Sequence, residues 1–171
     1  MKVKKIMTAE AGFCFTEESL SRAVEIMWQR DCGSVPVIDA EMKVVGMITD
    51  RDIAIAASSR DKKTSEISVG EVVGKKVFTC SEKDDAEDVL KKMRRARVKR
   101  LPVTDENGSL VGIVSIADLI LKAPKLKKKI HSALKSIVKP RPIVLKQVAE
   151  VETEENSSTD EHELAQIDSD I

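Results

Sequence analysis

An internal repeat constrains this chain more than any other feature of its sequence. The segment Val45-Gly46-Met47-Ile48-Thr49-Asp50-Arg51-Asp52 returns, in apolar pattern and in the spacing of its hydroxyl and carboxylate residues, as Val111-Gly112-Ile113-Val114-Ser115-Ile116-Ala117-Asp118, 66 positions later. The same shift keeps matching without a gap from about residue 3 to about residue 123. Units repeated in this way bury their apolar faces against each other. The sequence therefore predicts two copies of one structural unit, packed about a pseudo-twofold axis.

Each unit is predicted to run strand, helix, strand, strand, helix, which makes the fold class α+β. An apolar spacing of i, i+3, i+4 and i+7 that begins at Leu20 predicts the longer helix of the first unit. The hydroxyl residues Thr16 and Ser81 are predicted to cap the longer helices. The predicted boundaries are 1–58 for the first repeat, 59–68 for a linker, 69–123 for the second repeat, 124–139 for a basic amphipathic helix, and 140–171 for a linker and a disordered acidic tail.

Charge is divided unevenly along the chain, although the formal net charge is zero. All 29 Lys and Arg residues lie at or before Lys146, while nine of the 29 acidic residues lie within 150–170. A stretch with so many acids and few apolar residues is expected to be disordered. Two interpretations of this tail stay open: it keeps the protein in solution, or it folds back on the basic helix and screens it.

The sequence favours a cytoplasmic protein without catalytic or metal-binding groups. The three cysteines have no C-x-x-C spacing, which suits a reducing compartment. They are predicted to be small buried hydrophobic residues. No apolar run reaches the roughly 20 residues of a membrane span, and no signal-peptide run follows the basic start. The histidines His131 and His162 lie near no arrangement typical of a triad or a zinc site. With no Walker loop or G-x-G-x-x-G motif either, an enzyme is not expected.

The repeated pattern resembles a known domain. Each unit carries h-P-V-x-D, a turn, and then h-V-G-h-h-[TS]-x-x-D, where h is an apolar residue. This is similar to the CBS domain, and two such units resemble the CBS-domain pair, or Bateman module, of small stand-alone bacterial proteins. The resemblance implies a regulatory sensor that binds an adenosyl compound (AMP, ADP, ATP, S-adenosylmethionine or NAD) in a cleft between the units and signals to a partner protein. It also implies a homodimer and a bound adenine nucleotide rather than a catalytic cofactor.

The leading site candidates are Thr49 and Asp52 in the first repeat, and Ser115 and Asp118 in the second. A hydroxyl followed three residues later by a carboxylate at a helix start is a capping box, which satisfies free amide groups and needs no ligand. The same arrangement places a helix N-terminus, which favours phosphate, beside a carboxylate that can accept hydrogen bonds from ribose. From the resemblance, Asp52 and Asp118 would hold ribose, and Thr49 and Ser115 would hold ribose or phosphate.

Basic residues beside these motifs are candidates for phosphate binding. Arg51 lies within the first motif, and Lys99 and Arg100 directly precede the strand that starts at Leu101. A solvated basic surface is the alternative. The repeats differ here, because Gly33-Ser34 stand in place of Lys99-Arg100 and Ala117 stands in place of Arg51, so one composite site is predicted rather than two equal ones. Apolar groups that could pack against a base are Ile6, Met7, Val37, Ile38, Val72, Val73 and Val103.

The predicted helix 124–139 is rich in lysine and carries one apolar stripe. No acidic residue lies between Lys122 and Ala149. Three interpretations stay open: the helix docks on the paired repeats, binds nucleic acid, or lies on an anionic membrane. A rival function follows, in which the chain is a ligand-free module that uses this helix to recruit a protein or a polyanion, and its capping boxes are only structural.

Overall fold

The structure is a computed structural model that describes residues 1–74 and 76–140. The predicted linker and acidic tail, 140–171, lie outside the described residues apart from Pro140. The helices are α1 (Leu20–Gln29), α2 (Asp50–Arg60), α3 (Ala86–Ala96), α4 (Ile116–Lys122) and α5 (Lys127–Ile137). The strands are β1 (Thr8–Ala9), β2 (Cys14–Phe15), β3 (Ser34–Ile38), β4 (Val44–Thr49), β5 (Cys80–Ser81), β6 (Arg100–Thr104) and β7 (Leu110–Ser115).

Two small sheets confirm the predicted α+β class and the doubling of the unit. One sheet has the order β2-β3-β4 and the other β1-β7-β6-β5. In both, a short strand pairs in parallel with the first strand of an antiparallel hairpin. Both hairpins carry a register shift at the same repeat position, between Val37 and Ile38 and between Val103 and Thr104. The repeat seen in the sequence is therefore reproduced down to the irregularities of the backbone.

The two hairpins meet at their turns, and the contact is symmetric. Lys43 and Ser109, which are equivalent positions of the two repeats, form an isolated bridge. The amide of Val44 donates to the carbonyl of Gly108 at 3.4 Å, and the amide of Leu110 donates to the carbonyl of Met42 at 3.3 Å. These two hydrogen bonds join equivalent positions of the two repeats, so the pseudo-twofold axis passes between the two turns.

The segment that opens each repeat packs into the core of the other repeat. Val3 and Ile6 belong to the core built around β6, β7, α3 and α4, whereas Ile67 and Val69 belong to the core of β3, β4, α1 and α2. We call these two segments, 1–7 and 67–73, the exchanged segments. Neither core is complete without its contribution from the other half of the chain.

The exchanged segments also explain why the predicted caps at Thr16 and Ser81 are wrong. The longer helices begin later, after the N-cap residues Ser19 and Asp85, which make no side-chain capping bond. Their first amides are satisfied by carbonyls of the exchanged segments instead. Leu20 donates to Ile67 at 2.9 Å, and Ala86 donates to Met1 at 2.8 Å. A long-range backbone bond therefore replaces the local side-chain cap.

Helix α5 docks on the second repeat, which is the first of the three interpretations of the basic helix. Its residues Ile130, Ala133 and Ile137 are buried in the same core as Leu90 and Leu119. Lys129 pairs with Glu87 of α3 at 2.6 Å near one end, and at the other end Arg97, directly after α3, donates to the carbonyl of Lys139. Helices α3 and α5 therefore run side by side in the same direction.

Candidate functional site

Both predicted hydroxyl and carboxylate pairs lie at a strand-to-helix junction and form complete capping boxes. The Thr49 hydroxyl accepts from the amide of Asp52 at 3.2 Å and donates to Asp52 Oδ2 at 2.7 Å, and the same oxygen accepts from the Thr49 amide at 3.1 Å. Ser115 and Asp118 repeat these bonds at 3.2, 2.5 and 2.9 Å. Both pairs therefore cap the N-terminus of the helix that follows, and the cap uses one carboxylate oxygen of each aspartate.

The remaining carboxylate oxygen distinguishes the two repeats. Asp118 Oδ1 accepts from Lys122 Nζ at 3.1 Å, and the same ammonium donates to the carbonyl of Ile6 at 2.7 Å. The first repeat has Ala56 in place of Lys122, and no hydrogen bond or ion pair to Oδ1 of Asp52 occurs within residues 1–74 and 76–140. Asp52 thus keeps one carboxylate oxygen without a partner in the described part of the chain, whereas both oxygens of Asp118 are engaged.

The environment of Asp118 favours its ionised form. Burial alone would raise the pKa of this carboxyl, but hydrogen bonds from the Ser115 hydroxyl, Lys122 and the Ser115 amide, together with the charge of Lys122, hold the pKa below its usual range. The side chain is only 15% exposed, so these bonds are poorly screened by water. The Ser115, Asp118 and Lys122 group therefore acts as a fixed, satisfied unit.

We expect Asp118 to contribute to acid sensitivity. A carboxyl whose pKa is lower in the folded than in the unfolded chain stabilises the fold above its unfolded pKa of about 3.9, and this contribution is lost as pH falls through the folded pKa. Unfolding in urea at pH 7 and in steps from pH 5 to pH 3 measures it. Asp118→Asn should be less stable than wild type at pH 7, and the gap should narrow as the pH falls. In a Lys122→Ala background, Asp118→Asn should lower the free energy of unfolding at pH 7 by less than it does in the wild-type background. A stability difference between Asp118→Asn and wild type that stays the same from pH 7 to pH 3 would contradict the assignment.

Ser34 is a site residue that the sequence analysis missed. It pairs directly with Thr49 in the β3–β4 ladder, so the two side chains lie on the same face of the sheet. That face is opposite to Val35 and Val37, which point into the core. The Ser34 side-chain oxygen is buried, with the residue 6% exposed, and has no hydrogen-bond partner in the described part of the chain. Ser34 therefore places a further hydroxyl beside Thr49.

The three predicted cations are exposed on the surface. Arg51 is exposed on the first turn of α2, and the Lys99 carbonyl accepts from the amide of Ile116 at 2.9 Å. Arg100 pairs opposite Ser115 in the ladder of the second repeat. None of the three side chains makes an ion pair with another described residue.

Arg100 crosses from the second repeat to the first. It lines a cavity of about 530 Å³ between α1 and α2, together with Trp28, Asp31, Gly33 and Asp50. Asp50 directly follows Thr49, so Arg100 of the second repeat and the start of α2 in the first repeat line one cavity. This supports a composite arrangement, although Arg100 is the one residue of the predicted seven that lines this cavity. Trp28, 87% exposed, was also missed, because its place on the polar flank of the α1 stripe carried no signal of a cavity.

Two of the cysteines, Cys14 and Cys80, are unsuited to thiolate chemistry. Burial raises the pKa of both Cys14 and Cys80 to about 12, so each thiol stays protonated at neutral pH. Among the described residues, no group of three or more His, Cys, Asp and Glu side chains is placed to hold a metal ion. No helix in residues 1–74 and 76–140 has the length and apolar character needed to cross a membrane.

The doubled unit and its paired strand-to-helix junctions define a tandem regulatory module of the Bateman type. The family model of the CBS domain matches residues 3–59 and again residues 69–125. The chain belongs to the CBS-domain family.

Comparison with individual proteins agrees with this assignment. An uncharacterised protein of Methanopyrus kandleri is 32% identical over 116 residues, which cover 66% of this chain and 59% of that protein. A CBS-domain pair solved with 5′-methylthioadenosine and S-adenosyl-L-methionine is 28% identical, with a TM-score of 0.62, over 71% of this chain and 98% of that one. The structure of CBSX2 with AMP is 25% identical, with a TM-score of 0.62, over 74% of this chain and 98% of that one.

Proposed function

We propose that the protein is a regulatory sensor that binds an adenosyl ligand at the β4–α2 junction of the first repeat, without carrying out chemistry on it. The observation that carries this proposal is the asymmetry of the two junctions. Asp52 Oδ1 and the Ser34 hydroxyl have no partner among the described residues, whereas the carboxylate of Asp118 is fully engaged. The relatives solved with AMP and with S-adenosyl-L-methionine support the adenosyl class of ligand.

The chemistry of the junction assigns a role to each group. Asp52 Oδ1 accepts hydrogen bonds from the ribose hydroxyls, with Ser34 and Thr49 on the same sheet face beside them. A phosphate or carboxylate of the ligand is favoured by the N-terminus of α2 and by Arg51 and Arg100. In the second repeat, Lys99, Ser115 and Asp118 form a weaker candidate site, because a ligand would have to displace Lys122.

A sensor of this kind signals through a change in population. A ligand shifts an equilibrium only by its difference in affinity for the two states. The first repeat is coupled to the second by the exchanged segments and by Arg100, so ordering the α2 junction acts on both halves. Exposed apolar residues on α1, namely Val24 and Trp28, support a homodimer as the responding assembly. The free cysteines support a cytoplasmic location.

A thermal-shift panel with AMP, ADP, ATP, S-adenosylmethionine and NADH tests the proposal. At least one compound should raise the melting temperature of the wild-type protein. Asp52→Ala should weaken binding of that compound by about tenfold to a hundredfold, because a hydrogen bond to a charged group contributes roughly 1.5–3 kcal/mol. Isothermal titration then gives the dissociation constants.

Asp118→Ala is the matched control for this panel. Both substitutions remove a capping box, which should lower stability by about 0.5–2 kcal/mol, and Asp118→Ala also removes the ion pair with Lys122. Asp118→Ala should nevertheless keep the ligand response. Equal responses in the two variants, or no response of the wild-type protein to any compound, would favour the rival function of a ligand-free interaction module.

A further inference from the structure

We propose that the C-terminal half of α3 and the exposed face of α5 together form a second binding surface, which takes the phosphodiester backbone of a nucleic acid. This surface lies on the second repeat and is separate from the β4–α2 junction of the first. It does not depend on the adenosyl site, and either proposal can fail without the other. We call it the basic surface and define it by Arg94, Arg95, Lys128, Lys135 and Lys139.

The fold brings together two stretches of sequence that contain no acid. No Asp or Glu occurs in 89–104, which includes most of α3, or in 119–149, which includes all of α5. The contacts of Glu87 with Lys129 and of Arg97 with Lys139 place the two helices side by side along their whole length. Charges that lie some 40 positions apart in the chain therefore share one face of the molecule.

Carboxylates neutralise only some of the bases of this helix pair. Lys92 pairs with Asp84, Lys91 with Asp88, and Lys129 with Glu87. The five residues of the basic surface are exposed and, within the part of the chain that the structure describes, make no ion pair.

Helical spacing places Arg94 near the contact between the two helices and the lysines on the exposed face of α5. Arg94 lies seven residues after Glu87, on the same face of α3, and Glu87 contacts α5. Lys135 lies seven residues after Lys128, so the two share the face of α5 that is opposite the buried Ile130 and Ile137. Free, exposed bases at this spacing are suited to a regularly charged polymer rather than to a single anion.

The packing of α5 distinguishes a nucleic acid from a membrane. An interfacial helix buries its apolar face in the lipid, but the apolar face of α5 is already used, since Ile130, Ala133 and Ile137 are buried against the second repeat. Only the charged face remains. No Phe, Trp or Tyr occurs in 86–139, so stacking on bases is absent there, and binding through phosphates alone is independent of base sequence.

Fluorescence anisotropy with the full chain tests this proposal. The probes are a labelled duplex DNA, a labelled single-stranded RNA of unrelated sequence, and vesicles with anionic lipid, at salt concentrations from 50 to 200 mM. Binding to the nucleic acids should weaken steeply with salt, and changing the base sequence should leave the affinity unchanged. The slope of log affinity against log salt is about −0.9 per phosphate contact on duplex DNA and about −0.7 on single strands, so the two probes report how many contacts form.

A pair of charge-reversed double variants locates the surface. Arg94→Glu with Lys135→Glu should lower the affinity at 50 mM salt by about tenfold or more and reduce the salt slope by about 2. Lys62→Glu with Lys63→Glu changes the net charge equally, on the exposed segment that links the repeats, and should change the affinity much less. Both variants keep Lys99 and Arg100, and a thermal melt confirms that both are folded.

Three results would overturn the proposal. The wild-type chain could fail to bind either nucleic acid at 50 mM salt. The two double variants could lose affinity equally, which would show that net charge acts without a site. The chain could bind anionic vesicles but not the nucleic acids, which would assign the surface to a membrane.

Discussion

Ile130→Ala should lower the free energy of unfolding by about 2–5 kcal/mol. Ile130 is 3% exposed and belongs to the core that α5 completes with α3 and α4. Truncation removes apolar contacts and leaves a cavity in a place where the docked helix can relax only in part. Urea unfolding followed by circular dichroism measures the change.

Ile55→Ala is the matched control, because Ile55 is 53% exposed on α2. It should change the free energy of unfolding by no more than about 0.5 kcal/mol. If the two isoleucine variants unfold at the same urea concentration, α5 does not contribute to the core. The comparison also bears on the basic surface, which exists only while α5 is docked.

Gly112→Ala should destabilise the protein by about 1–3 kcal/mol. A β-carbon at Gly112 would lie 2.6 Å from the carbonyl oxygen of Thr8, and Thr8 pairs with Ile113 in the β1–β7 ladder. The obstacle is backbone, so the exchanged segment 1–7 must move away from the sheet. Chemical denaturation gives the loss of stability, and hydrogen exchange of the Ile6 and Met7 amides shows whether that segment has been released.

The repeat supplies two controls for this substitution. At the equivalent position, Gly46, the added carbon would meet the side chain of Val73 at 2.2 Å, which can shift more readily than backbone, so Gly46→Ala should destabilise less than Gly112→Ala. Gly74 has nothing within 4 Å of an added carbon, and Gly74→Ala should be neutral or stabilising by about 0.4–1 kcal/mol. A ranking in which Gly74→Ala is the most harmful would contradict the close approach of the exchanged segments.

Sequence patterns predicted the helix starts correctly where the capping bonds are made by nearby residues. The capping boxes at Thr49 and Ser115 follow from residues three apart, and the structure forms both. The caps expected at Thr16 and Ser81 have the same kind of signal, yet there the first helical amide is satisfied by Ile67 or Met1. These partners are distant in the chain, and no pattern around Thr16 or Ser81 reports them.

In the candidate site, too, features that depend on nearby residues could be predicted, and features that depend on packing could not. The i, i+4 spacing of Asp118 and Lys122 was visible in the sequence and indicates an ion pair, so the closure of the second junction could have been predicted. The unpartnered hydroxyl of Ser34 could not, because its burial depends on how the two sheets are packed. The proximity of Arg100 to the α1–α2 cavity likewise depends on the arrangement of the repeats, which periodicity does not give.

The exchanged segments have a consequence for how the chain is made. Synthesis runs from the amino to the carboxyl end, so Val3 leaves the ribosome before Leu119 and Ile130, which belong to the core that it completes. The first half can assemble its helices early, yet it also lacks Ile67 and Val69 until the middle of the chain has been translated. Burial of both halves therefore comes late and together, and a nascent chain halted midway would leave apolar surface uncovered for chaperones to hold.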